Sequence, residues 1–171
     1  MGSVIGRAKL IVDVGSILSV IEFQGSEPLL LPFKAQLQAP NTLDALSDIL
    51  SWFARLQHPS VPSSIWIRCQ LALAEGFTNA VRHAHRNLSS DVTVDIEVAL
   101  SDSQIEIRVW DYGPPFDLME KLQLMPPRID KSSGGGRGLK LMRDIADYLN
   151  YEPTSDGRNC LLIVKNYQHD E

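Results

Sequence analysis

Leu43, Leu46, Ile49, Leu50, Phe53 and Leu56 recur at three- and four-residue spacing. That period predicts an amphipathic helix from an Asn41 cap, with Asp44 in its first turn, to about Gln57. His58–Pro62 reads as a connector, after which Ser63 or Ser64 can cap a second helix that runs through Ile65 and Trp66 into Leu71–Arg86. The period then falls to two. Val92, Val94, Ile96, Val98 and Leu100 alternate with Thr93, Asp95, Glu97 and Ala99, and Ile105, Ile107 and Val109 repeat the pattern after a Ser101–Ser103 turn. This predicts an antiparallel hairpin covered on one face. Upstream, Leu29–Gln38 alternates weakly and predicts a strand stopped by Pro40, while Leu10–Phe23 predicts an added strand or strand pair.

Downstream of the hairpin, Leu118–Ser133 mixes short apolar and charged pieces with Pro126-Pro127 and predicts a mobile segment. A helix follows, with apolar positions at Leu139, Met142, Ile145, Ala146 and Leu149. Asp156-Gly157-Arg158 reads as a turn, Cys160–Val164 as a short strand buried on both faces, and Lys165–Glu171 as a polar, frayed end.

The central helix carries more than a packing face. At about 100° per residue, Glu75, Asn79, Arg82 and Arg86 share one stripe with His83 at its edge, opposite Leu73, Phe77, Ala80, Val81 and Ala84. An Asn amide oxygen can hold a magnesium ion that keeps waters and shares phosphates, and a Glu one turn away can take a proton from a hydroxyl. Ordinary helical ion pairs are the competing account. Gly76 interrupts this helix at a cost of about 1 kcal/mol relative to Ala, which fits close approach of another backbone or a ligand and equally a tolerated defect.

Asp111-Tyr112-Gly113 closes the second hairpin strand, where a carboxylate can accept from an exocyclic amine such as that of adenine or merely start a turn. Gly134-Gly135-Gly136-Arg137-Gly138-Leu139 opens the last helix, so its free N–H groups can cradle phosphates; a flexible linker is the alternative. The run lacks the GK[ST] of a P-loop.

Composition narrows the picture. At 171 residues and 44% hydrophobic, the chain suits one domain burying roughly 70% of its unfolded surface. A net charge of −5 argues against a nucleic-acid coat. Two cysteines without ligand spacing suggest reduced thiols in a cytoplasmic protein, and His83 and His85 diverge on a helix, which disfavours zinc. No apolar run is long enough to span a bilayer.

In order, ExxxN on a helix, a hairpin ending in DxG, and a glycine cluster opening a helix resemble the Bergerat-fold ATPases of the GHKL superfamily. Glu75-Gly-Phe-Thr-Asn79-Ala-Val-Arg-His83-Ala, Asp111-Tyr-Gly-Pro-Pro-Phe-Asp117 and Gly135-Gly-Arg-Gly-Leu139-Lys-Leu-Met-Arg143 resemble the bacterial anti-sigma-factor serine kinases in particular. The resemblance implies an α+β fold: a two-layer sandwich with a mixed, mostly antiparallel sheet and helices on one face. It implies an ATP-binding kinase domain over 29–167, with 1–28 an N-terminal extension and 168–171 a tail.

Carried over by position, Asn79 is the magnesium ligand and Glu75 the base that activates a substrate serine. Asp111 reads the adenine amine and Gly113 shapes its pocket. Gly134, Gly135, Gly136 and Gly138 shape the lid and phosphate cradle, with Leu139 completing that motif and Arg137 a phosphate contact. Arg82 matches a basic position near phosphate, and His83 a frequent His of the anti-sigma branch. The resemblance thus implies ATP and magnesium as cofactors, a STAS-domain anti-anti-sigma protein as substrate, a sigma factor as a further partner, and a homodimer without nucleic acid or membrane. The alternative function is an ATP-dependent protein-binding module with little or no phosphotransfer. One departure stands out: Arg158-Asn159-Cys160 occupies the place of the family's usual glycine-threonine pair, where Asn159 can supply a hydrogen bond.

Overall fold

The computed structural model describes residues 7–14, 17–24, 31–89, 91–125 and 136–168. The alternating stretches build one seven-stranded sheet in the order β1-β2-β3-β4-β5-β7-β6. Its strands are β1 (Arg7–Val14), β2 (Ile17–Gln24), β3 (Phe33–Pro40), β4 (Thr93–Leu100), β5 (Gln104–Asp111), β6 (Tyr148–Pro153) and β7 (Asn159–Asn166). Every pairing among the described residues is antiparallel. The helices are α1 (Leu46–Arg55), α2 (Ser63–Asn79), α3 (Leu118–Gln123) and α4 (Arg137–Ile145). The architecture is the two-layer α+β sandwich that the resemblance implies, with a sheet that among the described residues is wholly antiparallel rather than mixed.

Register sets the two faces. Ala35, Leu37 and Ala39 pair across to Val98, Ile96 and Val94 on one face, and Val98 and Ile96 pair on to Ile107 and Val109. All of these side chains are buried, together with Ile49, Trp52 and Phe53 of α1, Trp66, Leu73 and Phe77 of α2, and Met142 of α4. Burying each large side chain contributes roughly 1.5–3 kcal/mol. Phe53 and Trp66 stack at 4.4 Å and join α1 to α2. Among the described residues the opposite face carries no helix and is knitted by ions: Glu97 accepts from Gln36 at 2.7 Å and pairs with Lys34 at 3.1 Å and Arg108 at 3.3 Å.

That one-sided cover corrects the expectation for Cys160–Val164. Leu161 and Ile163 are buried, but Cys160, Leu162 and Val164 are only half-buried, because they face the uncovered side. Leu149 is likewise not on the last helix. Ala146 turns extended at φ −73°, ψ 142°, and the Asp147 amide donates to Val164 O at 2.8 Å while its carboxylate accepts from Asn166 N at 2.7 Å. The chain is thereby drawn into β6, an element the periodicity does not announce.

Local caps also differ from expectation. Asn41 does not cap α1. A 3₁₀ turn over Leu43–Ala45 precedes the helix, with Thr42 in its cap position and no side-chain bond there. Ser63 is the first residue of α2 rather than its cap, which is Pro62. The Leu118–Ser133 stretch is helical at its start, where the Asp117 carboxylate accepts from Glu120 N at 2.8 Å and caps α3. The rest of it from 126 lies outside the described residues.

The central helix changes pitch. After Asn79 the chain winds as a π turn over Ala80–Ala84 before His85 leaves it. Such turns insert extra backbone and recur at functional sites. Gly76 explains itself by packing: a Cβ there would lie 3.0 Å from Leu161 Cδ2 and 3.5 Å from Val109 Cγ2, so α2 lies directly on β5 and β7. No described helix is long and apolar enough to cross a membrane.

Candidate functional site

Where β5 and β6 end and β7 begins, α2, the π turn and the start of α4 enclose a cleft of about 300 Å³. Asn79, Ala80, His83 and Ala84 form one wall, Asp111 and Tyr151 the floor at the sheet end, and Gly136, Gly138 and Leu139 the rim from α4. Pro114, Pro115 and Phe116, which follow Asp111 in the chain, close the far side with Lys121. The volume lies at the small end of the range for ligand sites.

Asp111 is nearly buried, at 4% exposure, and its carboxylate is held from three directions. Oδ1 accepts from Gly113 N at 2.9 Å, from Asn159 Nδ2 at 3.0 Å and from Tyr151 OH at 3.1 Å, while Oδ2 accepts from Tyr151 OH at 3.0 Å. Asp111 and Asn159 face each other in the β5–β7 register. Asn159 Nδ2 also donates to Gly113 O at 2.8 Å, tying the turn to the sheet. The DxG turn is pinned from its other side as well. A Cβ on Gly113 would meet Ala84 Cα at 2.6 Å, so only glycine lets this turn seat on the π turn.

His85 completes that seat. It is buried, and its Nε2 accepts from Tyr112 N at 2.9 Å, so the neutral ring carries its proton on Nδ1. Burial holds the imidazole below its ordinary value, with the charge of Asp111 opposing. His83 and His85 therefore part company, one at the cleft and one behind it.

Glu75 does not line the cleft itself but sits at its edge. A Cβ on Gly138 would lie 2.1 Å from Glu75 Oε2, so the carboxylate rests against the bare first turn of α4. Gly136, with φ 94°, takes the left-handed cap position that glycine tolerates and opens that helix toward the cleft. The first N–H groups of a helix have no partner within it and favour an anion.

A family model described as the histidine kinase-like ATPase domain matches residues 39–165. The chain belongs to the histidine kinase-like ATPase family. It is 29% identical over 120 residues to the serine-protein kinase RsbW of Bacillus licheniformis, across 58% of this chain and 72% of that protein. A further match to a serine-protein kinase RsbW of the same species is 30% identical over 122 residues, across 58% and 72%. A third, from Bacillus subtilis, is 34% identical over 83 residues, covering 46% of this chain and 51% of the relative.

Within this histidine kinase-like ATPase, Asn79, His83, Asp111, Gly136, Gly138 and Leu139 meet at one cleft, with Gly113 and Glu75 directly against it. Arg82 does not join them. The π turn directs Ala80, His83 and Ala84 to the cleft and leaves Arg82 exposed, so the stripe drawn at a constant 100° fails beyond Asn79. Arg137 is exposed at the first position of α4 and does not line the cleft either, because the helix turns Gly136 and Gly138 inward instead. Gly134 and Gly135 lie outside the described residues.

The donor set fits a magnesium nucleotide. Magnesium keeps several waters and needs only one or two protein oxygens beside the phosphates, which the Asn79 carboxamide can supply at the wall. Gly138 keeps the first turn of α4 free of a side chain of its own, with the Glu75 carboxylate resting against it. Tyr151, Phe116 and Lys121 are site residues that the sequence reading missed. Phe116 stacks on Tyr151 at 4.5 Å, and Lys121 Nζ lies 4.6 Å over the Phe116 ring. Neither thiol is a nucleophile: burial pushes Cys69 up to about 12 and Cys160 up to about 11.

Proposed function

We propose that this chain is an ATP-dependent serine protein kinase that acts on a STAS-domain partner in the cytoplasm and regulates a sigma factor through it, working as a homodimer. The observation that carries the reading is the convergence of Asn79, Asp111 and Gly138 on one cleft, with the Glu75 carboxylate against its rim. Its resemblance to the serine-protein kinases RsbW supports the reaction type.

ATP with magnesium supplies the phosphoryl group and neutralises its charge. The chain's own residues do the rest. Asp111, fixed by Asn159 and Gly113, accepts an N–H of the exocyclic amine and places the base at the sheet end. Asn79 offers its amide oxygen to the metal one helical turn from Glu75. The open N–H groups at the start of α4 receive the phosphates, with His83 at the mouth. Glu75 would take the proton of the substrate serine hydroxyl as that oxygen bonds to the γ-phosphorus in place of ADP.

The test is incubation with labelled ATP, magnesium and candidate STAS proteins. Label on a serine that disappears with Glu75→Ala, while ATP binding persists, is the expected result. ATP binding without any transfer marks a nucleotide-dependent binding module instead.

A further inference from the structure

We propose that Tyr151 sets base selectivity at this site by closing the carboxylate fork of Asp111, so that the pocket accepts a lone exocyclic amine and refuses a paired N–H edge. The inference rests on the nucleotide reading of the cleft and deepens it.

An ionised carboxylate has about four lone-pair positions and readily takes a two-pronged donor across both oxygens. At Asp111 that option is occupied. The Tyr151 hydroxyl stands 3.1 Å from Oδ1 and 3.0 Å from Oδ2, bridging the mouth of the fork. Gly113 N and Asn159 Nδ2 fill the remaining directions of Oδ1. What faces a ligand is the free side of Oδ2 and the phenol oxygen. The phenol has a single proton, already given to Asp111. Burial and the neighbouring Asp111 charge raise its pKa, so it stays protonated at neutral pH.

The two purines differ in the edge they bring. Adenine offers an amine whose ring neighbours are acceptors, and one N–H to Oδ2 satisfies it. Guanine offers its ring N–H and its amine side by side, an edge that needs both carboxylate oxygens at once. With Tyr151 across the fork, the second N–H of that edge is left with the neutral phenol oxygen, 3.0 Å from Oδ2, in place of a charged carboxylate oxygen, and a hydrogen bond to a neutral acceptor contributes less. Tyr151 also cannot swing aside freely, because its ring is stacked on Phe116 at an interplanar angle of 26°.

The test compares binding of ADP, GDP and inosine diphosphate, with magnesium, by the full chain and its Tyr151→Phe variant. Phe keeps the stack on Phe116 and removes only the hydroxyl, and an unchanged circular dichroism spectrum with a single cooperative melting transition confirms the fold. The wild-type chain is expected to prefer ADP. In the variant, GDP affinity rises about tenfold relative to ADP, the change that one recovered hydrogen bond brings. Inosine diphosphate, which lacks the amine of guanine, gains nothing. A variant in which all three nucleotides shift by one factor overturns the role of Tyr151 and leaves the site standing. A wild-type chain that binds none of the three overturns the nucleotide site itself.

Discussion

The carboxylate of Glu75 lies so close to Gly138 that a single methyl group on that glycine would sit 2.1 Å from Oε2. Gly138→Ala is therefore expected to displace the flexible end of Glu75 rather than the helix. Stability should hold or rise by up to about 1 kcal/mol, as for Gly to Ala in a helix. Nucleotide binding should weaken, because the methyl enters the phosphate cradle, and phosphoryl transfer should fall further, by roughly a hundredfold, the scale of an ångström-sized misplacement. Parallel titration and transfer assays check this; a variant with full transfer would show that Glu75 needs no fixed position.

Asn159→Ala removes the amide that holds both Asp111 and the Gly113 carbonyl. A buried carboxylate then lacks a donor, which costs about 1–3 kcal/mol in urea unfolding. ADP should bind more weakly as well, because the base-reading oxygen is no longer fixed. Unfolding curves and calorimetric titration on the same preparation measure the two effects.

Gly113→Ala collides with backbone, not with a movable side chain: its Cβ would lie 2.6 Å from Ala84 Cα and 2.8 Å from Ala84 O. The expected loss is about 1–3 kcal/mol, as for overpacking at a tight contact. Gly157→Ala is no matching control, since Gly157 has φ 85° and its own backbone strain. The cleaner comparison is an exposed substitution such as Arg82→Ala, which should change stability by less than about 0.5 kcal/mol.

His85 makes stability depend on pH. Its folded pKa lies below the ordinary 6.5 because burial disfavours the charged ring. The unfolded chain thus binds the proton first. The contribution is full above 6.5 and is lost as pH falls through the folded value. The melting temperature of the wild-type chain should drop between about pH 7.5 and about pH 5 more steeply than that of His85→Gln, in which an amide oxygen can still accept Tyr112 N–H. Parallel slopes for the two proteins would contradict this.

The parts of the site that were legible in the sequence lie on strong periods. Asp111 ends an unbroken alternation, so its place at a sheet end follows from the pattern of β5. Glu75 and Asn79 lie on the regular part of α2, where helical spacing holds. Arg82 was misplaced because spacing arithmetic assumes a constant pitch, and nothing in the composition of Asn79–Arg86 marks a π turn. Tyr151 was missed for another reason. Tyr148–Pro153 lacks alternation, and its strand form comes from pairing with β7 and from the Asp147 anchor, contacts made far away in sequence.

Asn41 shows the same limit on a smaller scale. A cap residue in the right place one position too early is indistinguishable by type from a working cap, and only the 3₁₀ turn at Leu43–Ala45 displaces it. The half-buried outer side of β7 was equally invisible, since a short apolar run reads alike whether one side or both are covered.

Counted along the chain, the wide turn after Asn79 amounts to slack of a single residue. Deleting one position there would wind everything beyond it back by about 100°, carrying His85 off Tyr112 and Ala84 off Gly113. The exposed Arg82 side chain is replaceable, yet the spacing it occupies is not: between Asn79 and His85 the molecule tolerates changes of letter far better than changes of length.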